Sequence, residues 1–203
     1  MKEALAFTAA LVMLFATLPY IVDMVRGKTK PNIITWLTWS ILIGIGAAAL
    51  FAAKETNAFL LLVGDFCATF AVVILGIRYG AAKIDKFDIF CQIGAALGLV
   101  LWLIFNSPLI AVTATIVIDF IGTIPTLRHS WNYPEEETRV TFLLGVIATT
   151  ITLFSLKTYA FSAWVYPAYL LGSNAALFIT ITHGKKLKRT PILKTGRPGH
   201  YSS

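Results

Sequence analysis

The chain has 203 residues, of which 57% are hydrophobic and 13% are charged, about half the charged share of an ordinary soluble domain. This composition excludes a typical soluble domain, because so much apolar surface must face lipid or other spanning helices. The net charge of +7 would suit a nucleic-acid-binding protein. The basic residues, however, lie in short gaps between apolar segments, where they set membrane orientation, so nucleic acid is not an expected partner.

Seven apolar segments of about 20 residues follow one another along the chain, each long enough to cross about 30 Å of hydrocarbon as a helix. Unpaired backbone groups are excluded from lipid and strand-like alternation is weak, so we expect helices rather than barrel strands. The sequence therefore predicts an all-α polytopic membrane protein with seven transmembrane helices in the lipid bilayer. The predicted spans are residues 4–25, 32–53, 57–79, 87–105, 109–127, 138–156 and 160–182.

Lys and Arg residues distinguish the two sides of the membrane that these spans define. Fourteen of the 17 fall on one side, which includes the C-terminal tail, and only Lys2, Lys54 and Lys157 fall on the other. Because loops rich in Lys and Arg stay in the cytoplasm, we expect the N-terminus outside and the C-terminus inside. The basic tail, residues 185–203, is expected to be disordered and to lie on anionic lipid. A bacterial inner membrane is the preferred location.

The sequence matches itself at an offset of about 106 residues, which indicates an internal repeat. A Thr-x-Pro motif near the end of span 1, Thr17 to Pro19, corresponds to Thr123 to Pro125 near the end of span 5. Several matches in the same order along the chain are much less expected by chance than a single match. The further matches pair 34–37 with 140–143, 62–65 with 170–173, and Phe70 with Phe178.

This repeat divides the chain into two three-helix units joined by a single span. The first unit is residues 1–79, the linker span lies within 80–107, and the second unit is residues 108–184. Because the lone fourth span restores the chain direction, both units run from outside to inside. The sequence therefore predicts a parallel repeat, related by an axis along the membrane normal.

The 3-1-3 arrangement, the outside N-terminus and the prolines near the cytoplasmic ends of spans 1 and 5 (Pro19 and Pro125) resemble the SWEET and PQ-loop superfamily. That superfamily includes sugar facilitators, exporters of cystine and cationic amino acids, the similar nicotinamide riboside carriers and the KDEL receptor. The resemblance covers the chain up to about residue 184. It implies a seven-helix fold that moves a small polar solute by alternating access.

Pro19 and Pro125 are candidate hinges of an inner gate. Each removes a helical hydrogen bond and clashes with the carbonyl group four residues earlier, so each opens the helix near its cytoplasmic end. Thr17 and Thr123, two residues before them, can rebond part of the opened backbone. The alternative is that both prolines only kink their helices.

Two aspartates within predicted spans are the strongest candidates for a binding site. Asp119 lies about 16 Å into span 5 and Asp65 lies about 12 Å into span 3, both within the hydrocarbon. A charged side chain facing lipid at that depth costs about 2.5–3.5 kcal/mol or more, so both are expected to face the bundle interior. Neither stretch holds a basic residue at similar depth. These acids therefore carry a proton, bind a cation, or accept hydrogen bonds that only lock helices together.

Asn174 and its neighbour Ser173 in span 7 form the other half of the predicted site. Ser173 is the repeat partner of Asp65, and the family resemblance implies substrate-contacting asparagines in spans 3 and 7. In strict register the span 3 position is Phe66, beside Asp65. An interhelical hydrogen bond is the alternative role of Asn174.

Tryptophans in span 2 could supply a stacking wall for a ring-shaped solute. Trp36 and Trp39 are three residues apart and share one face of a helix. Their alternative role is that of ordinary interfacial tryptophans at the inner headgroups. Trp164 and Tyr166 are expected to form an aromatic belt at the outer surface.

Acidic residues at the cytoplasmic edge, Asp23 and those at 135–137, lie beside Arg26 and Arg139. Solvated surface pairs are the default interpretation, and an inner-gate ion pair is the alternative. The chain has no metalloprotease, serine-hydrolase or phosphate-loop motif, so neither an enzyme nor a cofactor is expected.

The sequence thus predicts a transporter of a small polar solute (a sugar, a vitamin or nucleoside, or an amino acid). Its substrate site is expected among Asp65, Asp119, Asn174, Ser173 and Trp39. Transport is proton-linked if the aspartates titrate and facilitated diffusion if they do not. The second hypothesis is a receptor or scaffold that keeps the fold without moving solute. The sequence leaves open whether the chain is a monomer or a homo-oligomer.

Overall fold

The computed structural model describes residues 1–52, 56–104, 108–156, 159 and 161–189. Within these ranges the chain forms seven α-helices, one short 3-10 helix and no β-strand, which confirms the all-α prediction. The elements are α1 (Lys2–Val25), α2 (Ile33–Ala52), α3 (Thr56–Tyr79), α4 (Lys86–Ile104), α5 (Pro108–Asn132), the 3-10 helix Pro134–Glu136, α6 (Arg139–Ser155) and α7 (Phe161–Arg189).

The helices begin and end close to the predicted span boundaries, with two extensions at one end of the bundle. Helix α5 continues five residues past its predicted end at residue 127, and α7 continues to Arg189. The prediction of a disordered tail from residue 185 therefore fails for residues 185–189, which prolong α7, and residues 190–203 lie outside the described residues. After α1 the chain reverses at Gly27, whose φ of 71° is one that glycine adopts without steric cost.

Helix packing is the same in the two three-helix units. Helix α3 packs against both α1 and α2, and α7 packs against both α5 and α6. Between the units, α1 packs against α6 and α2 packs against α5, while α4 packs mainly on α5. With α4 set aside, exchanging α1, α2 and α3 for α5, α6 and α7 gives the same pairs of packed helices, although α1 and α6 pack more extensively than α2 and α5.

Some helices have the dimensions of membrane spans. Within the described residues, Lys2–Val25 and Trp164–Lys185 are both long and apolar enough to cross a bilayer. Ile33–Ile45 and Arg139–Ser155 are apolar but shorter. The seven-span topology goes further than this finding and stays a prediction.

Candidate functional site: a cavity between the two three-helix units

A cavity of about 460 Å³ lies between the two units and is lined by six of the seven helices. This volume is in the range of ligand pockets. All five predicted substrate-binding residues line it, together with Thr17 from the predicted gate. The residues that sequence reasoning named are thereby brought together: Asp65, Asp119, Asn174, Ser173, Trp39 and Thr17.

Asp119 lies on α5 and is only 3% exposed. The hydroxyl group of Tyr169 on α7 donates a hydrogen bond of 2.6 Å to its Oδ2. Thr123, one helical turn further along α5, is also buried. The hydrogen bond between Tyr169 and Asp119 joins α5 to α7. A change at this carboxyl group therefore alters the contact between the two helices.

Asp65 lies on α3, across the boundary between the two units from Asp119, and is half-buried at the cavity wall. Within the described part of the chain, no side chain donates a hydrogen bond or forms an ion pair with its carboxyl group. Thr69, one turn further along α3, instead donates to the backbone oxygen of Asp65 at 2.9 Å. The oxygens of the Asp65 carboxyl group can therefore take up a proton or accept hydrogen bonds from a ligand.

Asn174 on α7 packs closely against α6. Its Nδ2 donates to the Leu170 oxygen of its own helix at 2.9 Å. Its Oδ1 approaches Gly145 so closely that a Cβ atom there would lie 2.2 Å away. Glycine at position 145 is thus what allows this amide to lie between α6 and α7, at the wall of the cavity.

Aromatic rings cover much of the cavity wall. Trp36 and Trp39 both line it, with ring centroids 5.2 Å apart in an edge-to-face arrangement. Phe142 on α6, the repeat partner of Trp36, lines it as well, and both are 2% exposed. Tyr166 on α7 completes the set.

Tyr166 and Tyr169 are the residues that sequence reasoning misplaced or missed. Tyr166 was expected in an outer aromatic belt, but it lines the cavity, and Tyr169 bonds Asp119. Helical spacing could have found them: extending the face of Ser173 toward the N-terminus by three to four residues at a time reaches positions 169 and 166.

The two predicted hinge prolines are not among the described residues that line the cavity. Pro19 and Pro125 are each inside a continuous helix, and Pro125 is fully buried. Of the two threonines, Thr17 reaches the cavity and Thr123 is buried behind it. Tyr20, which follows Pro19, belongs instead to an apolar cluster next to the cavity.

An apolar cluster lies between the cavity and the loops that join α1 to α2 and α5 to α6. It contains rings and aliphatic side chains from α1, α2, α3, α6 and α7 that are almost fully buried. Trp36, Phe142 and Leu177 belong both to this cluster and to the cavity wall, so they form its floor. The other members are Tyr20, Met24, Val72, Val73 and Ile181.

Beneath this floor, a buried acid joins the two units. Glu137 is 1% exposed, which corrects the expectation of a solvated surface acid. The Tyr20 hydroxyl group donates to its Oε2 at 3.0 Å, and Lys185 donates to its backbone oxygen at 2.8 Å. Burial raises the pKa of Glu137 to about 8, against the smaller lowering effects of the Tyr20 hydrogen bond and the Lys185 charge.

The two loops also contact each other directly. The hydroxyl groups of Thr29 and Thr138 are 2.6 Å apart, and Thr138 also bonds the Asp23 carboxylate at 3.1 Å. Lys30 forms an ion pair with Glu136, and its backbone NH bonds the Glu136 oxygen. Asp23 thus serves in a contact between units rather than in the expected pair with Arg26.

Comparison of the chain with protein-family models, with curated proteins and with solved structures finds no match.

Proposed function

We propose that this chain is a polytopic membrane transporter that moves a small polar solute by alternating access through the cavity. The observation that carries the proposal is the placement of Asp65, Asp119 and Asn174 around one cavity of about 460 Å³ between the two units. Carboxyl and amide groups on the wall of such a cavity are what orients a polar solute in an otherwise apolar site.

Exposed apolar side chains support the view that all seven helices span the bilayer. Helix α4 carries five of them at spacings of three and four residues, so they form a single stripe along one face. A stripe of this kind is costly in water and favourable against acyl chains. Each is more than half exposed: Phe90, Ile93, Leu97, Val100 and Ile104.

Equivalent positions of the two units support a 3-1-3 parallel repeat. Trp36 and Phe142, which the sequence match pairs, form the floor together, and Asp65 and Ser173 both line the wall. Apart from the contacts of α4, the same pairs of helices pack against each other when the two units are exchanged. Two such units related by an axis along the membrane normal can rock about a site at their interface.

The closed end of the cavity supports an inner gate. The excess of Lys and Arg places the α1–α2 and α5–α6 loops in the cytoplasm. Contacts between these loops, such as Thr29 with Thr138, join the two units on the far side of the apolar cluster from the cavity. Alternating access then requires this cluster to part, with Pro19 and Pro125 as the hinges.

A receptor that holds a peptide carboxylate is less well supported by the same cavity. None of the described residues that line it is Lys, Arg or His, and a carboxylate ligand would add a third acidic group beside Asp65 and Asp119. Repulsion between like charges in a site of low polarity would oppose such a ligand.

Uptake into liposomes tests the proposal. Purified protein in proteoliposomes should take up at least one labelled sugar, nucleoside, amino acid or amine faster than empty vesicles, with saturation. Absence of saturable uptake across that panel would contradict transport.

Replacing Asp119 tests proton linkage in the same vesicles. We expect Asp119→Asn to abolish the pH dependence of uptake, because the amide cannot carry a proton at this position. Asp85→Asn is the matched control: Asp85 is a partly exposed acid outside the described cavity lining, paired with Arg128. Unchanged pH dependence in Asp119→Asn would remove this residue from the mechanism.

A further inference from the structure

The cavity wall contains two acidic residues, and no basic residue is found among the described residues that line it. Asp65 comes from the first unit and Asp119 from the second, and none of the described lining residues is a Lys, Arg or His. An ionised carboxylate taken out of water needs an opposite charge or a set of hydrogen bonds to be tolerated. Tyr169 supplies one bond to Asp119, and Asp65 has no such donor within the described residues. The charge that would balance these two acids is therefore positive, and none of the described residues of the cavity wall supplies it.

The aromatic wall favours an organic cation over a metal ion. Trp36, Trp39, Phe142 and Tyr166 all face the same space, and the faces of such rings attract ammonium groups. Calcium and magnesium ions prefer six or more oxygen ligands, largely from carboxylates, and the described residues contain no group of three His, Cys, Asp or Glu side chains that could hold a metal ion. A cavity of about 460 Å³ also has room for far more than a bare ion.

A buried hydroxyl group adds a polar contact for the ligand. Thr141 on α6 lines the cavity and is 7% exposed. Its Oγ1 has no hydrogen-bond partner among the described residues. A buried hydroxyl group left unpaired costs free energy, and an N–H or O–H group of a bound ligand would remove that cost.

We infer that the solute is a small organic cation, a protonated amine or a quaternary ammonium with an apolar or aromatic body. Its charged end lies between Asp65 and Asp119, and its body packs on Trp36, Trp39 and Tyr166. This inference rests on the proposed function for the claim that the solute crosses the membrane, whereas binding of the cation can be measured independently.

Pairs of cations and their neutral analogues test the charge requirement. Choline is compared with 3,3-dimethyl-1-butanol, and tyramine with 4-ethylphenol, by the shift in melting temperature of the purified full-length chain and by equilibrium binding. We expect at least one cation to bind and raise the melting temperature, and its neutral analogue to bind about thirtyfold more weakly or worse, the typical loss when a buried charge is left unpaired.

Variants then test the two parts of the site separately. Asp65→Asn and Asp119→Asn should each weaken binding of the cation about thirtyfold, whereas Asp85→Asn should leave it unchanged. Trp39→Leu should weaken binding about tenfold while Trp39→Phe retains most of it, because only the second keeps an aromatic face. The Trp39 pair remains decisive if an aspartate variant fails to fold.

The outcomes separate this inference from transport itself. Binding of neutral analogues as tight as that of the cations, or saturable uptake of sugars or anions but not of cations, would overturn the cationic substrate and leave transport standing. Cations that bind but never cross the liposome membrane would support the cationic site and contradict transport. Failure of every cation tested to bind would overturn the inference.

Discussion

Burial of the Glu137 carboxyl group makes the contact between the two units sensitive to pH. Its pKa is raised to about 8 from an ordinary value of 4.5, mainly because burial disfavours the ionised form. Between these two pH values the folded chain holds a proton that the unfolded chain has released. The free energy of unfolding therefore decreases as pH rises from about 4.5 to about 8, and the protonated side chain is the one that fits this site.

Replacing Glu137 by glutamine tests this residue alone. Glutamine keeps the size and stays neutral, so we expect Glu137→Gln to melt several degrees above the wild-type protein at pH 9 and close to it at pH 5. Melting curves of the purified protein between pH 5 and pH 9 give the comparison. The matched control is Glu135→Gln, which changes an exposed acid two residues away. Equal pH dependence of Glu137→Gln and wild type would contradict the buried, protonated state.

Individual residues of the cavity could be predicted from the sequence where a polar residue lies within an apolar segment. Asp65 and Asp119 stand out because carboxyl groups are unfavourable in lipid, and both line the cavity. Glu137 could not be recognised in this way, because acids at a span boundary are ordinary and only the packing of α1 and α7 around it buries it. Tyr166 was misplaced because a tyrosine near a span end suits either an interface or a site.

At the scale of helices, close approach depends on a few glycines. Gly145 allows α6 and α7 to meet at Asn174, where a Cβ atom would lie 2.2 Å from Oδ1. Gly122 does the same for α5 and α2, where a Cβ atom would lie 2.6 Å from the Thr38 side chain. Small residues at such crossings let helix backbones pack closely within a membrane.

A pair of glycine substitutions tests this packing. Gly145→Ala should destabilise the protein by about 1–3 kcal/mol, because α6 and α7 must separate or Asn174 must move. Gly172→Ala makes the same chemical change on α7 where no atom lies within 4 Å of the new Cβ. It should be neutral or stabilise by up to about 1 kcal/mol through helix propensity. Thermal unfolding of both variants provides the comparison, and equal losses in the two would contradict the role of Gly145.

Helix boundaries were predictable because they follow from the length of the apolar segments. The extension of α7 to Arg189 was not, since Lys and Arg form helices well and composition alone does not distinguish a charged helical turn from a tail. This extension makes tertiary contacts, such as the hydrogen bond from Lys185 to the backbone oxygen of Glu137, and composition does not reveal such contacts.

For the whole molecule, alternating access requires the α1–α2 and α5–α6 loops to separate. Replacing Thr29 and Thr138 by cysteine, in a background without Cys67 and Cys91, places two thiols where oxygens are 2.6 Å apart. A disulfide there holds the α1–α2 and α5–α6 loops together, as its short sulfur–sulfur bond requires. We expect oxidation to stop most liposome uptake and reduction to restore it.

Matched proteins make this experiment decisive. The Thr29→Cys single variant, oxidised in the same way, should keep its uptake because no partner thiol lies nearby. Full uptake by the oxidised double variant, with the disulfide demonstrated by mass spectrometry, would contradict gating at these loops.

The sequence by itself determined the all-helical structure of the described residues, the positions of the helices and the two acids that need an interior, because each depends on local composition and on the cost of placing charge in an apolar environment. The repeat at an offset of about 106 residues also indicated which helices correspond. Only the tertiary structure decided which faces meet: that α1 packs on α6 and α2 on α5, that Tyr169 reaches Asp119, and that Glu137 is buried under Tyr20. Such contacts join residues 50 or more than 100 positions apart, and no local preference of the chain specifies them.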